Sequence, residues 1–188
     1  MPSALIPAAG SASRFGGGKL LVTVDGTPLL DRTIGAMLDG GVDDVIVVLP
    51  PGAAWQDTIR LLDDRRVRTK VNPDPSRGMF SSVQVGLEAL SDTPIAVLPG
   101  DMPFVRGETV RELIDAAVRT HAIVSPCYNG RRGHPVMLPL DLRQVILAAP
   151  ATATLNDVLR PHAARFVNLD VTDRGVLRDV DVVEDLIS

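Results

Sequence analysis

The sequence lacks the cysteines and the long apolar runs that are typical of disulfide-stabilised, zinc-binding or membrane-spanning proteins. Its single cysteine, Cys127, cannot form an internal disulfide, and no cysteine cluster indicates a zinc site. No apolar run reaches the ~20 residues that a membrane-spanning helix needs. The first residues lead into a strand pattern without a basic segment, which does not match a secretory signal peptide. We therefore expect a soluble, cytoplasmic protein without a membrane partner.

Aromatic side chains are also scarce, and basic residues are outnumbered by acidic ones. Phe, Trp and Tyr make up 3% of the 188 residues, whereas hydrophobic residues make up 45%, so the core must consist of aliphatic side chains. The formal net charge of −4 argues against a nucleic-acid partner, because surfaces that bind nucleic acid are usually basic. A chain of this length, without a repeat or a linker, predicts one domain over residues 1–188.

Strand and helix patterns alternate along the chain. Apolar strands are predicted at residues 4–9, 44–49, 67–71, 94–98 and 123–125, with helices between Thr27 and Gly40 and at 53–64, 79–90 and 107–121. The patterns after residue 128 predict a strand at 134–138, helices at 140–148 and 156–159, an edge strand at 165–169 and a terminal helix at 183–187. This order predicts an α/β fold with a Rossmann-like, doubly wound, mainly parallel sheet. Right-handed crossovers then place the loops that follow the strands along one edge.

A glycine-rich loop follows the first predicted strand. Four glycines lie within residues 10–18, and Arg14 and Lys19 add positive charge. Glycine lets a backbone approach a ligand closely, and successive N–H groups in such a loop can bind an anion. A polyphosphate-binding loop and a flexible surface turn are about equally compatible with these residues alone.

A second loop with a chemically useful side chain follows the predicted strand at 94–98. It begins with Gly100-Asp101. Ligands of open α/β sheets bind beyond the carboxyl ends of the strands. A carboxylate beside a phosphate-binding loop is well placed to hold Mg²⁺, which prefers carboxylate and phosphate oxygens. The alternative is that Asp101 caps a helix or stabilises a turn.

The first loop lacks the two commonest nucleotide-binding motifs. No Gly-Lys-Ser or Gly-Lys-Thr occurs at the spacing of a Walker A motif, and the glycines at 10, 16, 17 and 18 do not match G-x-G-x-x-G. The second mismatch argues against a dinucleotide-dependent oxidoreductase.

Five segments in order resemble one enzyme superfamily, the nucleoside-triphosphate transferases. Residues 7–19 resemble its L-A-A-G-x-S-x-R-[MF]-G-x-x-K signature, residues 100–103 its metal-binding motif, and residues 77–87 its G-M-S-S-S-x-x-x-G-L segment. Residues 130–136, Gly-Arg-Arg-Gly-His-Pro-Val, resemble a block of the molybdenum cofactor cytidylyltransferases, and residues 175–186 resemble the closing D-I-D-T-P-E-D-L of that subgroup. The matches extend from Ala4 to Leu186.

This resemblance implies a nucleotide-diphospho-sugar transferase-like fold, with a nucleotide-binding half at about 1–105 and an acceptor-binding half at about 106–188. The residues expected to hold the base and ribose are Ala8, Ala9, Gly10 and Ser11, with Gly78, Ser81 and Ser82 beside the nucleotide. Arg14 and Lys19 would bind the triphosphate and stabilise the departing pyrophosphate. Asp101 and Asp181 would share Mg²⁺, Asp179 being the alternative second ligand. His134 and Arg131-Arg132 would face the acceptor.

The chemistry of nucleotidyl transfer agrees with this set of residues. An ionised acceptor phosphate attacks the α-phosphorus in line, so positioning and charge neutralisation dominate and no covalent nucleophile is needed. A metal held by two carboxylates can clamp the attacking and leaving oxygens. Arg14, Lys19, Asp101 and Asp181 are therefore the expected catalytic group.

The resemblance favours CTP as the nucleotide and molybdopterin as the acceptor. Guanylyl-transferring relatives tend to carry Ala-Gly-Gly where this chain has Ala8-Ala9-Gly10, and an added Cβ at Ala9 would narrow the space for a purine. Residues 151–157 differ from the Gly-Asp-x-Gly-x-Arg segment of the cofactor cytidylyltransferases. Methylerythritol phosphate or a sugar phosphate therefore stays open as the acceptor, as does a non-catalytic nucleotide-binding chaperone. A molybdoenzyme is the candidate protein partner.

Overall fold

A computed structural model describes residues 1–10, 18–53, 56–90, 94–150 and 152–180 of the chain. The predicted helix at 183–187 and the site candidates Ser11, Arg14 and Asp181 lie outside these ranges. No helix within them is long and apolar enough to cross a membrane.

Strands and helices follow one another in nearly the predicted order. The first half contains β1 (Ser3–Pro7), β2 (Thr23–Val24), β3 (Thr27–Pro28), α1 (Leu29–Asp39), β4 (Asp44–Leu49), β5 (Val67–Val71), α2 (Met79–Leu87) and β6 (Ile95–Val97). The second half contains α3 (Gly107–Thr120), β7 (Ile123–Tyr128), β8 (Arg131–Arg132), β9 (Val136–Leu138), α4 (Leu142–Leu147), α5 (Leu155–Leu159) and β10 (Phe166–Asp170).

The main sheet is mostly parallel, as predicted. Its strand order is β10-β7-β9-β6-β1-β4-β5, and β8 pairs with the end of β7. Neighbouring strands are parallel except at β9, which is antiparallel to both β6 and β7, and at β8, which is antiparallel to β7. The carboxyl ends of β1 and β6, which the two candidate loops follow, are therefore adjacent.

Helices cover both faces of the sheet, so the central strands are buried on both sides. All five residues of β1 and the last five of β4 are buried, which explains their continuous apolar sequences. Side chains from α1 and α3, including Ile34 and Leu113, pack on one face. Side chains from α2 and α4, including Leu87 and Ile146, pack on the other. The core is largely aliphatic, as the composition predicts.

The predicted helix at 53–64 is wrong where the structure describes it. Residues Gln56–Thr58 and Arg60–Asp63 form two short 3-10 turns instead. The cause is the buried carboxylate of Asp31 on α1, which accepts hydrogen bonds from the backbone N–H groups of Arg60 and Leu61 at 3.2 and 2.9 Å. This long-range contact fixes the chain where the next turn of an α-helix would otherwise form. Trp55, which falls within this predicted helix, lies outside the described residues.

The region after β7 also differs from the prediction. β7 continues to Tyr128 rather than ending at Ser125, and the chain then turns back so that β8 forms a hairpin with the end of β7. The turn between them has positive φ at Asn129 (49°) and Gly130 (75°), a geometry that suits these two residues. The strand predicted from His134 begins at Val136.

Candidate active site

The site begins where β1 and β6 end. Beyond their paired residues, the N–H of Leu98 donates to the Leu5 carbonyl and the N–H of Gly100 donates to the Pro7 carbonyl, both at 3.0 Å. A Cβ on Gly100 would lie 3.3 Å from both Pro7 O and Ala8 Cβ, tighter than most real contacts. The glycine thus allows the Asp101 loop to lie directly against the start of the glycine-rich loop.

The first loop leaves the sheet from a fixed base. The N–H of Ala8 donates to the Val48 carbonyl at 2.8 Å, and the side chains of Ala8 and Ala9 are 5% and 2% exposed. Gly10 is exposed. The expected base and ribose contacts therefore begin at a rigid, apolar strand end, and Ser11 and Arg14 beyond it lie outside the described residues.

Lys19 and Asp101 form a direct ion pair. The Lys19 Nζ lies 2.7 Å from the Asp101 Oδ2, with the two side chains 12% and 27% exposed. Lys19 begins the 3-10 turn Lys19–Leu21, whose two leucines pack against the core. The turn thus fixes the lysine backbone, and reduced exposure to water strengthens the attraction between the charges. The structure thus brings Lys19, which follows the glycine-rich loop in sequence, together with Asp101.

The closing segment of the described chain is attached to the same loop. The N–H of Val180 donates to the Asp101 carbonyl at 3.0 Å, and the Val180 side chain is fully buried. Asp179, immediately before it, is exposed and lines a cavity together with Asp101. Two of the three expected metal-binding carboxylates are therefore brought together, whereas Asp181 lies outside the described residues.

This strand-end cavity has a volume of about 360 Å³. Its charged and polar lining consists of Asp101, Asp179, Arg131, Arg132 and His134, and its apolar lining includes Met79, Met102 and Leu177. The cavity thus joins the predicted metal-binding loop to the predicted acceptor-binding block.

The antiparallel direction of β9 explains why His134 reaches this cavity. Val136 at the start of β9 pairs with Val97 at the end of β6. The residues that precede β9 therefore lie beside the residues that follow β6. The His134 backbone is held there by a 2.9 Å hydrogen bond from its N–H to the Val176 carbonyl.

The imidazole of His134 lies in a mostly buried and polar environment. Burial lowers its pKa from 6.5, and the Val97 backbone and the carboxylates of Asp101 and Asp179 oppose that shift. Its Nδ1 atom is buried and has no hydrogen-bond partner among the described residues. The lowered pKa favours the neutral ring, which can donate one hydrogen bond and accept another.

Ser81 and Ser82, which are expected to lie beside the nucleotide, also take part in a structural hydrogen-bond network. Both hydroxyls are buried and accept hydrogen bonds from the Asn72 Nδ2, at 2.8 and 3.0 Å. The Ser81 hydroxyl in turn donates to the Gly78 carbonyl at 2.7 Å. Gly78 has a φ of 86° and immediately precedes α2. This network fixes the start of α2, and Asn72 is a member that the sequence analysis did not identify.

Sequence reasoning also missed the apolar part of the cavity. Met79 is 48% exposed at the first position of α2, and Met102 follows the metal-binding candidate Asp101. Both residues stand inside segments already quoted for the family resemblance. Met79 stands at the first position of the helix predicted at 79–90, and an apolar side chain at that position was the signal that could have indicated a ligand-facing residue.

Comparison with known proteins agrees with this geometry. Residues 4–166 match the family model described as the MobA-like NTP transferase domain. The molybdenum cofactor cytidylyltransferase of Escherichia coli (strain K12) is 22% identical over 184 residues, covering 98% of this chain and 93% of that protein. A 2-C-methyl-D-erythritol 4-phosphate cytidylyltransferase of Streptomyces coelicolor is 33% identical over 195 residues, covering 97% and 71%.

The fold recurs in solved structures. A Mycobacterium tuberculosis H37Rv protein crystallised in complex with manganese superposes with a TM-score of 0.76 at 23% identity, covering 98% of this chain and 95% of that one. The mainly parallel sheet is that of the nucleotide-diphospho-sugar transferase fold, as expected from the sequence. The family match covers most of the chain and includes both Lys19 and Asp101, which form the ion pair at the candidate site. The chain therefore belongs to the MobA-like NTP transferase family and is a nucleotidyltransferase.

Proposed function

We propose that this chain transfers a cytidylyl group from CTP to the phosphate of a small acceptor, with release of pyrophosphate, and that molybdopterin is the acceptor. The observation that carries the proposal is the 2.7 Å pair of Lys19 and Asp101 at the adjoining ends of β1 and β6. It borders a cavity that Asp179 and His134 also line. A cation for a triphosphate and carboxylates for a metal thus meet at the strand ends.

The residues present fit a magnesium ion. Asp101 and Asp179 supply hard oxygen ligands, and Asp181, beyond the described part, is the third candidate. Within the described residues no three His, Cys, Asp or Glu side chains lie close enough to form a metal site on their own. There the carboxylates would share the ion with substrate phosphate oxygens and water, which is how Mg²⁺ usually binds. Bound Mg²⁺ would neutralise charge on the transferred phosphoryl group.

The chain's own residues would position the two substrates. Lys19, held in its 3-10 turn, would exchange Asp101 for triphosphate oxygens and stabilise the departing pyrophosphate. Arg14 would contact the same triphosphate from the glycine-rich loop. The backbone from Ala8 to Ser11 would hold the base and ribose, with Ala9 narrowing the space for a purine. The acceptor phosphate is already ionised, so no strong general base is required.

Two acceptors are supported by particular observations. Residues 131–134 of the Gly-Arg-Arg-Gly-His-Pro-Val block line the strand-end cavity, and the resemblance of this block to molybdenum cofactor cytidylyltransferases supports molybdopterin. The 33% identity to a 2-C-methyl-D-erythritol 4-phosphate cytidylyltransferase supports methylerythritol phosphate as the second candidate. With molybdopterin as the acceptor, we also propose a cytoplasmic location and delivery of the product to a molybdoenzyme partner.

Pyrophosphate release tests the proposal. Each of the four NTPs is incubated with Mg²⁺ and with molybdopterin, methylerythritol phosphate or a sugar phosphate. We expect turnover with CTP and molybdopterin, and a loss of at least about 10²-fold in Asp101→Asn, in which metal binding is removed. Turnover with another nucleotide or acceptor would replace those assignments, and release that needs no divalent metal would refute the role of Mg²⁺.

Asp44→Asn is a matched control for Asp101→Asn. Asp44 also accepts a 2.7 Å hydrogen bond from a cation, Arg68, but it lies at the start of β4 and therefore at the opposite edge of the sheet. Removing its charge should leave turnover unchanged. An equal loss in both variants would mean that the effect of Asp101→Asn is one of stability or overall charge and not of the site.

A further inference from the structure

Two consecutive arginines of the strand-end cavity differ in what they contact. Arg132 donates from Nε to the Asn168 Oδ1 at 2.7 Å, and its guanidinium lies 4.4 Å from the centre of the Phe166 ring. Both partners belong to β10. The Arg131 side chain has no hydrogen-bond or ion-pair partner within the described ranges, although it lines the cavity and is exposed. One arginine is thus anchored to the sheet, and the guanidinium of the other is available to a ligand.

The backbone that carries Arg131 is nevertheless fixed. It pairs with Tyr128 across the β7–β8 hairpin, while Arg132 pairs with Cys127. The N–H of Gly133 donates to the Pro126 carbonyl at 2.8 Å and extends that attachment by one residue. Arg131 therefore combines a rigid attachment with an uncommitted head group, which reduces the entropy lost when a ligand is bound.

The charges around the cavity fit a phosphate dianion. Asp101 and Asp179 lie among its lining residues together with Arg131. A divalent cation on the carboxylates would neutralise them and leave the arginine as the complementary charge for an incoming phosphate. Guanidinium binds phosphate oxygens through two parallel N–H donors, which also fixes orientation.

We propose that Arg131 binds the phosphate of the acceptor, whereas Arg132 is a positioning residue that holds the hairpin on β10. This inference rests on the proposed nucleotidyl transfer to a phosphorylated acceptor and assigns different tasks to two neighbouring residues. If the inference is right, substitution of Arg131 changes the KM for the acceptor, whereas substitution of Arg132 changes Tm.

Substitution of each arginine by glutamine separates the two tasks. In Arg131→Gln we expect KM for the acceptor to rise about 10- to 100-fold through loss of a charge-assisted contact, with KM for the nucleotide and Tm unchanged. Arg131→Lys should recover part of the loss. Arg132→Gln should lower Tm and change the KM for the acceptor and the KM for the nucleotide together. Arg132→Lys should not restore Tm, because lysine lacks the Nε–H donor and the planar group over Phe166. An unchanged acceptor KM in Arg131→Gln would overturn the proposal.

Arg119→Gln provides the matched loss of one positive charge. Arg119 is exposed in the last turn of α3, near the start of β7, whereas the hairpin follows the end of that strand. The length of β7 separates them by about 16 Å at ~3.3 Å per residue. We expect wild-type acceptor KM in this variant, and a rise equal to that of Arg131→Gln would indicate a general charge effect and contradict a specific contact.

A second measurement does not depend on the identity of the acceptor or on turnover. In the presence of Mg²⁺, inorganic phosphate is titrated into the wild type, Arg131→Gln and Arg119→Gln at constant ionic strength, and Tm is recorded. Phosphate should stabilise the wild type and Arg119→Gln more than Arg131→Gln, because a ligand of the folded state raises Tm by mass action. Equal stabilisation of all three would refute phosphate binding by Arg131 even if Asp101→Asn abolishes turnover. A selective loss in Arg131→Gln would support the inference even if CTP proves to be the wrong nucleotide.

Discussion

Gly133→Ala tests whether the segment around Val176 and the block at residues 130–136, proposed to bind the acceptor, position each other. Gly133 lies between Arg132 and His134, and a Cβ built on it would be 2.2 Å from the Val176 carbonyl oxygen and 2.7 Å from the Val176 carbonyl carbon. Real Cβ atoms essentially never approach other atoms closer than 3.0 Å, so one segment must move by at least the 0.8 Å between 2.2 and 3.0 Å. Both segments are backbone, which leaves no side-chain rotation to relieve the overlap.

The displacement should reduce both stability and activity. Overpacking of this kind destabilises by about 1–3 kcal/mol, which corresponds to a fall in Tm of about 2–12 °C for a chain of this size. A shift near 1 Å at reacting groups can lower a rate about 10²-fold. Because the hairpin, Val176, Leu177 and Asp179 line the part of the cavity proposed to hold the acceptor, we expect most of the loss in kcat/KM for the acceptor and little change in nucleotide affinity.

Gly35→Ala is the control for adding one methyl group. Gly35 lies in α1, and its added Cβ would meet only the Leu61 Cδ1, at an ordinary 3.7 Å. Alanine favours a helix over glycine by up to about 1 kcal/mol, so this variant should be as stable as the wild type or more so. Urea unfolding measures the stability of Gly133→Ala and Gly35→Ala, and steady-state kinetics measures their kcat/KM for the acceptor. Wild-type stability and wild-type acceptor kinetics in Gly133→Ala would refute the mutual positioning of the two segments.

Two further predictions concern buried polar groups beside the site. Asn72→Ala removes the two hydrogen bonds to Ser81 and Ser82 and one from the Asp74 N–H, so urea unfolding should show a loss of about 3 kcal/mol; a change below about 0.5 kcal/mol would show that the network does not hold α2. The lowered pKa of His134 means that the unfolded chain binds its proton more tightly, so stability of the metal-free protein should fall as the pH drops below 6.5 and reach its full loss below the folded pKa. In His134→Asn this part of the pH dependence should disappear from the free energy of unfolding measured above and below that pH. If the wild type and His134→Asn lose the same stability as the pH falls, the result would contradict a buried, neutral ring.

The strands with continuous apolar sequences were predictable because their environment is uniform. The bounds predicted for β4 match the structure, 44–49. β4 is buried along its last five residues, and Pro50 ends its apolar run. The loops after β1 and β6 could be placed together for the same reason, since parallel strands that are both buried present their carboxyl ends at one edge. The contact between Lys19 and Asp101 follows from this arrangement.

Long-range polar contacts and strand direction could not be predicted from local patterns. The 3-10 turns at 56–63 depend on the Asp31 carboxylate about 30 residues earlier in the chain, as the separation in sequence of its two hydrogen bonds shows. The direction of β9 depends on its position between β6 and β7, and a parallel β9 would have carried His134 to the opposite edge of the sheet. The resemblance of residues 130–136 implied a role for His134, but only the antiparallel pairing explains how the residue reaches Asp101.

The segment that differs most from the cofactor cytidylyltransferases has a local structural explanation. The Thr154 hydroxyl accepts a hydrogen bond from the Asp157 N–H at 3.1 Å, and the Asp157 carboxylate accepts one from the Thr154 N–H at 3.1 Å. These reciprocal bonds form a capping box that begins α5. None of the described residues from 152 to 157 lines the strand-end cavity. The sequence of this segment is therefore explained by how α5 begins. If the acceptor binds in the strand-end cavity, as we propose, its choice depends on residues that line that cavity, so we expect substitution of Arg131 or His134, and not of residues 152–157, to change acceptor preference.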